Sequence, residues 1–180
     1  TKILVPNCDI VHDRSSIELF RGCANGCRFC QAGFYYRPIR ERSVDTLVKQ
    51  ACELMDNTGY DELGLLSLST GDYSGLKDLV DKIKVEADKR KVKVALPSLR
   101  LDSFEAEIYE EIQGASLTFA PEAGTQRLRD VINKNINEED ILSSLTTAMK
   151  YGVKNVKLYF IMGLPTETQE DLQGIVDIVH

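Results

Sequence analysis

Apolar and polar residues along this chain switch repeatedly between a period of two and a period near 3.6, and the switches mark its elements. Residues 1–14 show neither period and read as irregular. Ser16–Phe20 alternates Ile17 and Leu19 with Glu18, a strand. A helix follows from Ser43 to Asn57, with Ser43 as N-cap, Val44, Val48, Ala51 and Met55 as its stripe, and Gly59 as its stop. Glu62–Ser69 is a leucine-rich second strand. Ser74 is placed to cap a helix carrying Leu76, Leu79, Val80, Ile83 and Ala87.

The same unit then recurs. Val92–Leu96 is a third strand, ended by Pro97, before a helix from Asp102 or Ser103 with Phe104, Ile108 and Ile112. Ser116–Ala120 is a fourth strand ended by Pro121, and Thr125 opens a short helix with Leu128, Val131 and Ile132. Asn137 and Asp140 form a capping pair for a helix over Glu138–Lys150, closed by Gly152. Val156–Ile161 is a fifth strand, and Thr166 with Gln169 fits a capping box for a helix bearing Leu172, Ile175, Val176 and Val179. Strands alternating with helices predict an α/β fold with a parallel sheet and outer helices. A full eight-fold barrel takes about 250 residues. The roughly five units counted by pattern here predict a partial barrel instead.

Composition narrows the class. Apolar residues at 43% and charged residues at 28% describe a soluble globular chain. No apolar run reaches the roughly 18 residues of a membrane span, and no signal peptide stands at Thr1. A net charge of −6 removes the broad basic footprint of a general nucleic-acid binder. Five cysteines, an odd number with three bunched together, favour a reducing compartment and metal ligation over a disulfide framework. The expected location is the cytoplasm.

The chemistry gathers in Arg21-Gly22-Cys23-Ala24-Asn25-Gly26-Cys27-Arg28-Phe29-Cys30-Gln31. Three thiolates at C-x-x-x-C-x-x-C spacing are soft ligands for an iron–sulfur cluster, zinc or copper(I). A four-iron cluster usually takes four cysteines, so three leave one iron with an open position. The spacing, with aromatic Phe29 before the third cysteine, resembles the signature of the radical S-adenosylmethionine (SAM) enzymes. The stretch Arg21 to Ser43 is similar to an uncharacterised branch of that superfamily whose members are larger multidomain proteins.

The resemblance implies a 4Fe-4S cluster on Cys23, Cys27 and Cys30, its fourth iron chelated by the amino and carboxylate groups of SAM. An electron from the reduced cluster then breaks a carbon–sulfur bond, giving methionine and a 5'-deoxyadenosyl radical. It also implies a partial (β/α)6 TIM-like barrel over 15–180, behind an irregular segment 1–14. On that expectation the sixth unit and later domains are missing and the chain is a fragment truncated at its C-terminal end. The electron source implied is a reductant protein of flavodoxin or ferredoxin type.

In such barrels chemistry sits at the carboxyl ends of the strands. Those ends here carry the cysteine loop, Ser69-Thr70-Gly71-Asp72, Pro97-Ser98-Leu99-Arg100, Pro121-Glu122-Ala123-Gly124 and Met162-Gly163-Leu164-Pro165. Thr70, Gly71 and Asp72 resemble the family's Gly-Gly-Glu turn that receives the SAM ammonium, with Thr for the first Gly and Asp for Glu. Glu122 in Ala-Pro-Glu-Ala-Gly-Thr-Gln-Arg resembles the ribose motif of methylthiotransferase-like members. Arg100, beside Ser98, suits the SAM carboxylate, where an arginine fork serves better than lysine. Adenine is expected against Phe29 and near Met162 and Gly163. There Tyr159-Phe160-Ile161-Met162-Gly163 resembles the adenine motif, with Tyr159 in place of a usual glycine. No residue is singled out as catalytic.

Each feature also has an ordinary use. Gly71 serves a turn, Asp72 a helix start, Glu122 a solvated turn, and Pro165 a helix-leading position. Cys52 belongs on the apolar stripe of its helix, and His12 in a loop. Gly33 to Arg42 interleaves aromatics with arginines, either as a solvated loop or as a wall against SAM or an anionic substrate. Unpaired nucleic acid is one such substrate, since aromatics and arginines stack on bases. Two other classes compete: a structural zinc site completed by Cys8 or His12, and an electron-transfer iron–sulfur protein, which wants a fourth cysteine. The substrate stays open among methylthiolation of RNA or protein, cobalamin-linked methyl transfer and rearrangement.

Overall fold

The structure is a computed structural model describing residues 2–96 and 116–180. The chain divides into two compact units, the first holding residues 2–21 and 40–96, the second residues 22–39 and 116–180. The expected strand end at Pro97 with Ser98 and Arg100, and the helix from Asp102 or Ser103, lie outside the described residues.

In the first unit, β1 (Ser15–Glu18), β4 (Glu62–Leu66) and β5 (Lys93–Ala95) form a parallel sheet in the order β1-β4-β5. Ile17 pairs with Leu65, and Leu63 with Val94. β2 (Phe20–Arg21) and β3 (Arg40–Glu41) form a short antiparallel ribbon. The expected first strand is therefore broken at Leu19, whose N–H donates to Leu66 O and whose carbonyl accepts from Arg42 N. The core joins Ile17, Leu19, Leu63 and Leu65 of the strands to Leu47, Ala51 and Leu54 of α1 (Val44–Thr58) and Leu79, Val80 and Ile83 of α2 (Leu76–Arg90).

Ser43 caps α1 by accepting from Thr46 N, and Gly59 ends it in the left-handed conformation. Ala51 and Met55 of the expected stripe are buried in the core. Leu47 and Leu54 are buried, whereas Val44 and Val48 are only partly covered. Ser74 does not cap α2. Its N–H and Oγ both donate to the Glu41 carboxylate, and Gly75 takes the N-cap position without a side-chain bond. Cys52 packs partly buried against the core, and burial pushes its thiol up. Cys8 and His12 are exposed.

In the second unit, β6 (Ser116–Glu122) pairs in parallel with β7 (Asn155–Phe160). β6 does not stop at Pro121. The register shifts between Phe119 and Glu122, so proline, which has no N–H to give, falls in the irregular stretch, and pairing resumes at Glu122 with Phe160. Three helices follow β6 in the chain: α3 (Gln126–Val131), α4 (Glu138–Lys150) and, after β7, α5 (Gln169–Val179). Thr125 caps α3, and Asn137 with Asp140 makes the expected capping box of α4.

The capping box of α5 is Thr168 with Asp171, not Thr166 with Gln169. Thr166 instead has a left-handed backbone, φ 64°. Of the expected apolar stripe of α5, Leu172 and Ile175 are half-buried while Val176 and Val179 are exposed, and the fully buried positions of the helix are Asp171 and Gly174. Gly174 is buried because Gly124 is there: a Cβ on Gly174 would lie 2.7 Å from the Gly124 carbonyl oxygen.

Candidate cluster loop and cofactor contacts

Gly22 opens the cysteine loop with φ 110°, and a Cβ there would stand 2.6 Å from the Tyr36 carbonyl oxygen. Only glycine fits that approach. Cys23 N donates to the same Tyr36 oxygen, which ties the loop start to the end of a single helical turn, Ala32–Tyr35. Cys30 N donates to Cys27 O at 3.0 Å. Cys27 is buried, Cys23 and Cys30 are half-buried, and none of the three is in a disulfide.

The loop is fastened to the turn that follows α3. Arg28 N donates to Ile132 O at 2.9 Å, and the Arg28 guanidinium to Val131 O. The Asn133 and Asn135 side-chain amides donate to Gly26 O and Asn25 O, at 3.0 and 3.4 Å. Between them Lys134 reaches Glu122 at the end of β6, Nζ to Oε1 3.0 Å, and lies 5.9 Å from the centroid of the Phe29 ring. Glu122 holds a left-handed backbone, φ 70°, in which a non-glycine residue costs about 1–3 kcal/mol. Its carbonyl accepts from Ile161 N at 2.8 Å, which places the start of the Met162-Gly163 turn beside it. Gly163 N donates to Glu167, and Met162 is exposed.

One structural support has no local sequence signal. Arg129 of α3 is fully buried and donates to Ala123 O at 2.9 Å, with Gln126 and Glu138 taking its other bonds. Burial pulls its guanidinium below the usual arginine range, against the opposing pull of Glu138. It fixes the Ala123–Gly124 peptide, one residue beyond Glu122.

Thr70, Gly71 and Asp72 belong to the first unit, as a 3-10 turn after β4. Thr70 is fully buried with its hydroxyl 2.9 Å from that of Ser67, and Asp72 is exposed with its N–H on Ser69 O. The buried Ser69 hydroxyl has no hydrogen-bond partner among the described residues.

Cys23, Cys27, Cys30, Phe29, Glu122, Met162 and Gly163 thus share one unit, and Lys134 is the residue that joins Phe29 to Glu122 there. Sequence reasoning missed Lys134 and its flanking asparagines. The signal was the Asn-Lys-Asn triplet itself, since asparagine is the non-glycine residue that most readily turns left-handed. Glu122 is not the solvated turn charge of the ordinary reading but a largely buried partner of Lys134.

The donor set fits an iron–sulfur cluster in type: three cysteine thiols within eight residues on one loop anchored by backbone and amide bonds, one short of the four that usually hold a four-iron cluster. Among the described residues, no three cysteine, histidine or carboxylate side chains are already gathered as a metal set. No helix among the described residues is long and apolar enough to cross a membrane.

Comparison with known proteins bears on this arrangement. The chain is 38% identical over 162 residues to an uncharacterised protein of Methanocaldococcus jannaschii, covering 90% of this chain and 36% of that one. It is 24% identical over 190 residues to the tRNA-2-methylthio-N(6)-dimethylallyladenosine synthase of Petrotoga mobilis, covering 97% of this chain and 42% of that one. It thus spans well under half the length of these curated relatives. Among solved structures, the radical S-adenosylmethionine methyltransferase TsrM from Kitasatospora setae, with cobalamin and a 4Fe-4S cluster bound, superposes with TM-score 0.76 at 15% identity, over 92% of this chain and 34% of that one. That likeness shows the fold, α/β of the partial TIM-like kind. The family model described as the radical SAM superfamily matches residues 17–179, and the chain belongs to that superfamily.

Proposed function

We propose that this chain is the core of an enzyme that binds a 4Fe-4S cluster and SAM and cleaves SAM reductively. What carries the reading is the C-x-x-x-C-x-x-C loop, lying inside a family match that spans 17–179. Cys23, Cys27 and Cys30 would hold the cluster through their thiolates and would leave one iron for the amino and carboxylate groups of SAM. When bound, cluster and SAM supply methionine and a 5'-deoxyadenosyl radical, at the expense of one electron from an external reductant protein of flavodoxin or ferredoxin type.

The protein's own groups then bind and orient. The Glu122 carboxylate accepts from the ribose hydroxyls while Lys134 holds it in place. Phe29, with the backbone at Met162 and Gly163, receives the adenine, and the Thr70-Gly71-Asp72 turn supplies carbonyl and carboxylate oxygens for the ammonium. Ser98 and Arg100 are the proposed partners of the SAM carboxylate. Group transfer, of a methyl or methylthio kind, is the reaction class, with RNA or protein modification the proposed use, because the Petrotoga synthase is named for a tRNA methylthio product and TsrM for methyl transfer. The compartment proposed is the cytoplasm.

Anaerobic reconstitution with iron and sulfide tests this. The expected product is a brown protein with about four irons per chain. SAM perturbs the spectrum of its reduced form, and with dithionite it releases 5'-deoxyadenosine and methionine. Cys23→Ala, Cys27→Ala and Cys30→Ala each lose the cluster, and Cys52→Ala keeps it. A colourless protein with one zinc, indifferent to SAM, would overturn the proposal.

A further inference from the structure

Within the cysteine loop, the Asn25 side-chain amide donates to Cys23 Sγ at 3.5 Å. The Asn25 backbone is itself held, since its carbonyl accepts from Asn135 Nδ2 at 3.4 Å. The adjacent Gly26 carbonyl accepts from Asn133 Nδ2 at 3.0 Å. Asn133 and Asn135 both have left-handed backbones, φ 54° and 53°, so the turn after α3 presents two amides to two consecutive carbonyls of the loop. Arg28 N on Ile132 O closes the same seam from the other side of Cys27.

A hydrogen bond to a ligand sulfur favours the more negatively charged state of the centre that the sulfur belongs to, and is one of the levers that set an iron–sulfur potential. Reduction adds one electron to the cluster and breaks no bond, so a donor aimed at Cys23 raises the potential at which that electron is accepted. We infer that Asn25 tunes the reduction potential of the cluster through its amide bond to the Cys23 sulfur, and that Asn135 is a positioning residue that acts through Asn25. This rests on the reading that Cys23, Cys27 and Cys30 hold the cluster. It assigns to two asparagines a role in how readily the enzyme takes its electron, separate from binding iron.

The test uses reconstituted full chains: wild type, Asn25→Ala, Asn135→Gly and the double variant. Asn135→Gly removes the amide but keeps a residue at ease in the left-handed region. Iron and sulfide are counted, and the reduced fraction is read by electron paramagnetic resonance at a series of fixed potentials. Iron content is expected to stay near four per chain in every variant. At a fixed potential the reduced-to-oxidised ratio in Asn25→Ala is expected to fall about tenfold, equivalent to about 59 mV for a one-electron couple. Asn135→Gly shifts it the same way by less, and the double variant matches Asn25→Ala, because Asn135 works only through Asn25.

An unchanged potential in Asn25→Ala with its iron intact overturns the inference. Additive shifts in the double variant overturn the role given to Asn135. If Asn25→Ala fails to hold its cluster, Asn135→Gly decides alone, and an unchanged potential there also overturns it. A wild-type protein that takes up no four-iron cluster sinks the parent reading instead, and the iron count distinguishes that failure from the others.

Discussion

Lys134 Nζ lies 3.0 Å from Glu122 Oε1, with only 11% and 14% of the two side chains exposed, and α3 is the helix that spans between them. A pair this well covered makes each partner dependent on the other, because removing one leaves a charge with little water around it. Lys134→Met and Glu122→Met are each expected to cost about 3 kcal/mol of unfolding free energy. The double variant Lys134→Met/Glu122→Met is expected to recover much of the loss, because an apolar pair of similar volume avoids the desolvation. Urea denaturation of the four proteins closes the cycle, and strictly additive losses would show that the two charges are not coupled.

Gly22→Ala is expected to damage the cysteine loop more than its size suggests. A Cβ there meets the Tyr36 carbonyl oxygen at 2.6 Å and the backbone at Pro38 and Ile39 at 3.1 Å, all main-chain atoms that cannot swing aside. The φ of 110° adds strain for any L side chain. Iron retained after anaerobic reconstitution should fall by more than half, with circular dichroism showing the helices intact. Full iron loading of Gly22→Ala would show that the loop start does not need this close approach.

The elements that local signals specify were legible. Ser43, Thr125 and Asn137 each cap the helix they precede, because the donor each satisfies lies three residues away. The three cysteines were legible for the same reason, as spacing within one loop. What escaped depends on residues far apart in the chain. Ser74 looks like a cap until Glu41, 33 residues earlier, takes its hydroxyl and its N–H. Thr166 and Thr168 both stand three residues before a plausible box partner, and Asp171 chooses Thr168 because its carboxylate is also bound by Thr125 and Arg127. Lys134 gave no warning of its partner, since nothing in a period or a cap links it to Glu122.

That Asp171 carboxylate predicts an acid-sensitive step. Thr125, then Thr168 and Arg127, donate to it and hold it well below the usual carboxylate range, burial opposing. A depressed folded-state value means the carboxylate stabilises the fold above its unfolded value, about 3.9, and loses that contribution as pH falls toward the folded value. The urea midpoint is therefore expected to decline from about pH 5 downward. Asp171→Asn should be less stable than wild type at pH 7 and show a shallower decline. An equal slope for both proteins between pH 5 and pH 3 would remove Asp171 from the acid response.

The junction of α3 and α5 predicts a size limit of one hydrogen. A Cβ on Gly124 would run into the Asp171 carbonyl oxygen and the Ile175 N–H, both backbone atoms of α5, and one on Gly174 would meet the Gly124 carbonyl. Inside a helix, glycine to alanine normally gains about 1 kcal/mol of propensity. At Gly174 that gain is expected to be outweighed by overpacking, which costs about 1–3 kcal/mol and displaces α5 from the N-terminus of α3. Gly124→Ala has no propensity gain to offset it and should be the more damaging of the two. Thermal denaturation separates the cases: both variants should melt below wild type, Gly124→Ala lowest. A Gly174→Ala protein that melts at or above wild type would mean that α5 stands farther from Gly124 than the structure has it.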